Sequence, residues 1–155
     1  MSSSFFLEER MLGDIIGIIS QKRSKETKVQ VIQTISILVQ NIRDEKSLCS
    51  VFPRIMTLLD FILSNNHINS IITADLDFRD EDIVSQYISF MKVLSLSINE
   101  KTIHFFHNNK DPTNPFPLFT ICAKFFDHPE GMVRIAVRTI MFNCLRGCFH
   151  PLLSL

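Results

Sequence analysis

The sequence predicts an all-helical protein. Apolar residues recur every three or four positions over long stretches, the period of an α-helix with one buried face. Glycine occurs only four times and tyrosine once, while Ile, Leu and Phe are plentiful; a turn-rich β-sandwich needs a different mixture. At 155 residues the chain makes one domain at most, or a piece of a larger one. A hydrophobic fraction of 46% suits a packed core rather than disorder.

Each element follows from its local pattern. A first helix is expected over about 5–20, where Gly13 and Gly17 would allow a neighbouring helix to approach closely. After a charged connector at 22–28, a helix at about 26–43 places Val29, Ile32, Ile35, Val39 and Ile42 on one face. Val31 and Leu38 widen that face, so this helix should touch neighbours on two sides. A third apolar segment covers 48–63, with Pro53 delaying or kinking it. Residues 64–70 read as a polar turn leading into Ile71 and Ile72.

Asp80 is a credible N-cap for a helix over 81–98. That helix is apolar around most of its circumference, through Ile83, Val84, Tyr87, Ile88, Phe90, Met91, Val93 and Leu94. Only Ser85, Ser89 and Lys92 form a narrow polar strip, the pattern of a helix in the middle of a stack. Asn99 should cap a short helix holding Ile103, Phe105 and Phe106, followed by a loop at 108–115 and a helix over 116–126.

The last helix is expected at 132–143. Pro129 suits its first turn, and Glu130 complements the positive end of its dipole. Met132, Val133, Ala136, Val137, Ile140 and Met141 form its apolar stripe, with Arg134 and Arg138 four apart beside it. Short connections of about 2–8 residues make successive helices antiparallel neighbours, which both a bundle and an α-solenoid allow. The run from Asp127 to Val133-Arg134-x-Ala136 is similar to a pattern in HEAT and armadillo repeats. An irregular armadillo/HEAT-like α-solenoid is therefore the reading, with a compact helical bundle as the alternative.

Several function classes are disfavoured. Sixteen basic residues balance sixteen acidic ones, so the electrostatic footprint of a nucleic-acid binder is missing. The N-terminus lacks the basic and apolar regions of a signal peptide, and no stretch reaches the roughly 20 apolar residues of a membrane span. Cys49, Cys122, Cys144 and Cys148 show no disulfide framework, which points to a reducing cytosol. Cys144, Cys148, Cys122 and His150 lack zinc-site spacing, so small buried thiols are expected and no metal. The histidines stand apart from any nucleophile or carboxylate signature, and neither enzymatic activity nor a cofactor is expected.

Arg134 and Arg138 offer a phosphate or acidic-peptide site. The plainer reading is a bridge from them to Asp127 or Glu130. The aromatic-rich stretch 105–126 is core by default and a peptide groove by alternative, and the acidic run 75–82 is a solvated loop and helix cap.

The phrases Ser64-Asn-Asn-His-Ile-Asn-Ser-Ile-Ile72, Asp77-Phe78, Tyr87-Ile-Ser-Phe90, Thr102-Ile-His-Phe-Phe106, Phe116-Pro-Leu118 and Met132-Val-Arg-Ile-Ala-Val-Arg-Thr139 occur in order. With Phe5-Phe6-Leu7-Glu8, Val31-Ile32-Gln33-Thr34 and Gln40-Asn41-Ile42-Arg43, they resemble the FPL domain over about 5–143. That domain opens the C-type lectin domain family 16 member A proteins of animals, endosomal maturation defective among them, and their plant relatives of the transparent testa nine type. The resemblance implies a cytosolic protein recruited to endosomal or Golgi membranes. There it would support endosome maturation, lysosomal delivery and autophagy, with mitophagy through ubiquitin-ligase partners in animals. It implies no sugar binding and brings no catalytic residues. Arg134, Arg138 and the Phe116-Pro117-Leu118 phrase are shared with the family and are the candidate partner surface.

Three departures accompany the resemblance. Upstream helices of the domain are expected to be missing, extra residues occupy about 49–61, and the apolar tail 144–155 no longer follows the family. The expected organisation is a partial FPL domain over 1–143 followed by a divergent tail, and a truncated product or imperfect gene model would explain all three. Two functions fit: a scaffold docking protein partners, or a module attaching peripherally to membranes through the tail or 55–63.

Overall fold

The computed structural model describes residues 14, 17–19, 21, 23–44, 67–99, 102–109 and 111–153. All regular structure among them is helical, without a strand, as the periodicity predicts. The elements are α1 (Lys25–Asp44), α2 (His67–Ile72), α3 (Glu81–Leu96), a 3₁₀ turn (Ile103–Phe106), α4 (Pro117–Lys124) and α5 (Gly131–Leu153). The expected apolar segment at 48–63, Pro53, the extra residues at 49–61 and Gly13 lie outside the described residues.

α1 opens on Ser24, whose Oγ accepts from the Thr27 amide at 3.4 Å, and Glu26 lies in its first turn against the positive dipole end. Among the described side chains, Val31, Ile32, Ile35 and Val39 are buried and Val29 is half-buried, while those of Leu38 and Ile42 lie outside the described set; the helix packs on α3. Among the described residues, a Cβ on Gly17 would meet nothing within 4 Å.

Residues 67–70 of the segment expected to be a polar turn instead begin α2, while 64–66 lie outside the described residues. Ile68, Asn69, Ile71 and Ile72 are all buried, and the helix packs against α4. Polar letters concealed a helix because Asn69 is enclosed despite its amide. Residues 73–80 then lead into α3, whose N-cap is Asp80 as predicted. The Asp80 side chain accepts from the amides of Asp82 (3.0 Å) and Ile83 (3.3 Å).

α3 forms the middle of the molecule. It packs against α1 on one side and α5 on the other. Ile83, Val84, Tyr87, Ile88, Phe90, Met91, Leu94 and Ser95 are buried, while Ser85 and Ser89 of the predicted polar strip are exposed. The layered run α1–α3–α5 is common to the solenoid and the bundle. Tyr87 ties this run to α2, because its hydroxyl donates to the Ile72 carbonyl at 2.5 Å. That carbonyl ends α2 and has no partner within the helix.

The following turn differs in detail from expectation. Thr102, not Asn99, precedes the 3₁₀ helix, and the Asn99 carbonyl accepts from the Thr102 and Ile103 amides. The loop 108–115 is closed by the Asn108 amide donating to the Pro115 carbonyl at 2.8 Å. Pro117 occupies the first turn of α4, where its missing N–H costs nothing. Leu118 and Cys122 bury one side of α4, which rests on α2 and α5.

α5 begins at Gly131, so Pro129 and Glu130 precede the helix rather than forming its first turn. It continues to Leu153, passing position 143 without interruption. Its buried stripe is Val133, Val137, Ile140 and Cys144, with Ala136 and Met141 half-buried. Met132, expected in the stripe, is 71% exposed. At about 100° per residue it lies well away from Val137 and Cys144, which set the direction of the core. Close approach to α5 occurs at Gly147: a Cβ there would run into the side chain of Ile98, just past the end of α3. Asn143 and Ser95 add a buried hydrogen bond of 3.1 Å across the α3–α5 interface.

Candidate functional site

Three surfaces stand out: the corner before α5, a groove beside α4, and the outer face of α5. At the corner, Arg134 is spent internally. Its Nη1 donates to the carbonyls of His128 (2.6 Å) and Pro129 (2.7 Å), clamping the turn that feeds α5. The His128 ring nitrogen accepts from the Glu130 amide at 3.2 Å and stiffens the same turn. Arg138 instead lies over the Phe126 ring, 5.3 Å from its centroid. Among the described residues neither arginine forms the expected bridge to Asp127 or Glu130. The two guanidinium groups therefore have different tasks, and the structure does not join them in one anion site.

The Phe116-Pro117-Leu118 phrase is not a surface. Pro117 and Leu118 are buried, and half-buried Phe116 packs against the core. Phe105, Phe119 and Ile121 also pack against the core, while Phe106 and Phe125 are buried within it. The phenylalanines of the stretch are thus interior, as its default reading holds, except for Phe126, which is exposed. Phe125 joins Phe78 and Tyr87 from outside the stretch in an aromatic cluster, with Phe78 edge-on to Phe125 at 5.1 Å between ring centroids.

A groove of about 480 Å³ lies beside this cluster. It is lined by Ile72, Thr73, Ala74, Asp75, Leu76 and Phe78 on one side and Ile121, Lys124 and Phe125 on the other. Asp75 and Lys124 are its charged groups, and the remainder is mostly apolar. Such a lining offers hydrophobic contact and orientation. Among the described residues its lining contains no histidine, cysteine or serine.

The electrostatics elsewhere are structural. Lys25 bonds Asp80 at 2.7 Å and Asp82 at 2.9 Å, joining the starts of α1 and α3. Hydrogen bonding from Lys25 holds the Asp80 carboxyl below the usual carboxylate range. Arg79 does the same to Asp77. Burial raises the Tyr87 hydroxyl above its ordinary value. Burial, with Cys144 nearby, pushes the Cys122 thiol up to about 12, so it is a packed apolar group and not a nucleophile. Cys122 and Cys144 are both buried, and neither is in a disulfide. Among the described residues no group of His, Cys, Asp and Glu could hold a metal ion. His104 lies against Phe105 and His107 bonds Asn109, so these two are occupied locally. No helix among the described residues is long and apolar enough to cross a membrane.

The outer face of α5 is the surface that sequence reading missed. Met132, Ile135, Phe142 and Leu145 are 71%, 61%, 63% and 44% exposed. They recur at spacings of three and seven on the side opposite the core stripe. Arg138 and Arg146, also exposed, stand four residues before and after Phe142. The signal was present in the letters: α5 is apolar on two sides, and assigning Met132 to the core concealed the second one.

These features define a layered all-helical protein with an exposed apolar and basic helix face. The chain belongs to the FPL family, whose model, described as "Uncharacterised conserved protein", matches residues 3–145. It is 50% identical over 141 residues to the Protein CLEC16A homolog of Drosophila melanogaster, and 48% identical over 139 residues to human Protein CLEC16A. Protein TRANSPARENT TESTA 9 of Arabidopsis thaliana is 32% identical over 140 residues. Each similarity covers 90% of this chain, which spans only 12% of the fly and human proteins and 15% of the plant protein. No solved structure matches the chain.

Proposed function

We propose that this chain is a non-enzymatic scaffold that docks protein partners. Its setting is endosome maturation, endosome-to-lysosome traffic and autophagy, including mitophagy, and it works in the cytosol at the surface of endosomal or Golgi membranes. Family membership motivates the setting. The observation that supports docking is the outer face of α5, where four large apolar side chains on one helix meet water. Scattered apolar residues are normal on a surface, but a contiguous row marks an interaction site. Components of ubiquitin ligases are proposed among the partners, with no nucleic acid and no cofactor.

The test compares the tagged chain on cell membranes and on protein-free liposomes of matching lipids. Co-fractionation with endosomal or Golgi membranes that is lost after protease treatment of those membranes supports protein docking. Equal binding to protein-free liposomes overturns it in favour of a membrane module. Distribution identical to the free tag overturns the location as well.

A further inference from the structure

α3 and α5 share a sequence pattern but not an environment. Both are apolar around most of their circumference, and such helices belong between two layers. α3 packs on both α1 and α5, whereas α5 packs on α3 and α4, and among the described residues no element covers its opposite side. The open side is also charged in one sense. Arg138 and Arg146 flank Phe142, and residues 131–147 contain no carboxylate. Eight residues separate the two arginines, about 12 Å along the helix axis. Arg138 is already held against Phe126, so less side-chain freedom is lost when it meets a partner.

From this we infer that the outer face of α5 docks an amphipathic helix whose apolar ridge is flanked by two carboxylates about two turns apart. The ridge packs on Met132, Ile135, Phe142 and Leu145. The carboxylates pair with Arg138 and Arg146, one on either flank. Helical ridges pack into grooves at interaxial distances of about 8–10 Å, so the occupant completes the next layer as α5 itself does for α3. A helix is favoured over a lipid surface because interfacial helices segregate their apolar residues from a Lys/Arg-rich face. On the open side of α5 the basic Arg138 and Arg146 are interleaved with Ile135, Phe142 and Leu145. This inference rests on the docking reading above and names the chemistry of the partner.

The test uses the full chain and two synthetic helical peptides, each about 20 residues long, with the same Leu/Ile ridge. One carries Glu at two positions about two turns apart; the other carries Lys at those positions. Fluorescence anisotropy should show the Glu peptide binding at least about tenfold more tightly. The preference should reverse in the doubly substituted Arg138→Glu, Arg146→Glu chain, with circular dichroism confirming that helicity is unchanged. Equal affinity for both peptides overturns the charge assignment but leaves docking at α5 standing. Binding of neither peptide overturns the helix as occupant. Tighter binding to phosphatidylserine vesicles than to the Glu peptide, lost in the same variant, assigns the face to anionic membranes and overturns the inference. Protease-sensitive membrane association is read separately, so a failed peptide experiment is distinguishable from failure of the scaffold reading.

Discussion

α3 and α5 are written in nearly the same alphabet and end in different surroundings. α3 is enclosed, with Tyr87, Phe90, Met91 and Leu94 fully buried, and its few polar residues mark the strip that no neighbour covers. α5 is equally greasy but presents Ile135 and Phe142 to water. Apolar content alone therefore does not show which helix is interior. Occupancy of both sides does, and that depends on which neighbours are present.

The sharpest way to break the comparison is to truncate a phenylalanine in each helix. Phe90→Ala in α3 should lower unfolding free energy by about 3–5 kcal/mol, whereas Phe142→Ala in α5 should change it by no more than about 0.5 kcal/mol. Urea unfolding monitored by circular dichroism measures both, and a large loss at Phe142 would mean that its side is already covered in solution.

The packing of α5 against the segment that follows α3 can be probed by glycine. Gly147→Ala should cost about 1–3 kcal/mol, because the new methyl group meets the Ile98 side chain. Gly17→Ala meets no neighbour among the described residues and should stabilise by up to about 1 kcal/mol through helix propensity. Thermal melts of the two variants should therefore move in opposite directions. Tyr87→Phe removes only the hydroxyl that serves the Ile72 carbonyl. The buried acceptor left behind should cost about 1–3 kcal/mol, measurable by the same unfolding experiment.

The two arginines give a smaller contrast. Arg134→Ala releases two carbonyls of the turn before α5 and should cost about 1–2 kcal/mol. Arg138→Ala loses only an exposed contact with Phe126, about 0.5–1 kcal/mol. The smallest expected effect concerns pH. The folded state holds Asp80 and Asp77 below the usual carboxylate range, through Lys25 and Arg79 respectively. Their contribution is fully present above the ordinary aspartate value, near about pH 4, and is lost as pH falls through the depressed folded values. Lys25 has the opposite sense: its pKa is raised, so its contribution is present below the ordinary lysine value and is lost as pH rises through the folded one. Asp80→Asn should flatten the acid limb of a melting-temperature profile by slightly lowering its neutral plateau, while leaving its acid end nearly unchanged.

Much of the architecture was legible because periodicity and capping are local. The sequence around Asp80 contains everything needed to start α3, and the Ser85, Ser89 and Lys92 strip identifies the side left to solvent. α2 was not legible, since the polar residues of 64–70 imitate a turn until their packing is known. Gly17 and Gly147 look alike as letters, yet among the described residues only Gly147 has a side chain pressed against it. The candidate surface was the least legible part. Phe116-Pro117-Leu118 reads as a motif, yet Pro117 starts a helix and Leu118 fills the core. Arg134 and Arg138 look like a pair, yet the local carbonyls of His128 and Pro129 take one of them and a phenylalanine ring takes the other. Helical spacing gives direction around an axis, but the identity of the neighbour is tertiary information.

The enclosed thiols of α4 and α5 have one more consequence. Because Cys122 is shut away and stays protonated in ordinary buffers, an alkylating reagent can reach it only when the layer breathes. Residue-resolved mass spectrometry of maleimide uptake at Cys122 and Cys144 would then serve as a built-in clock for local opening. A bound occupant on the far side of α5 should slow that clock without touching either sulfur.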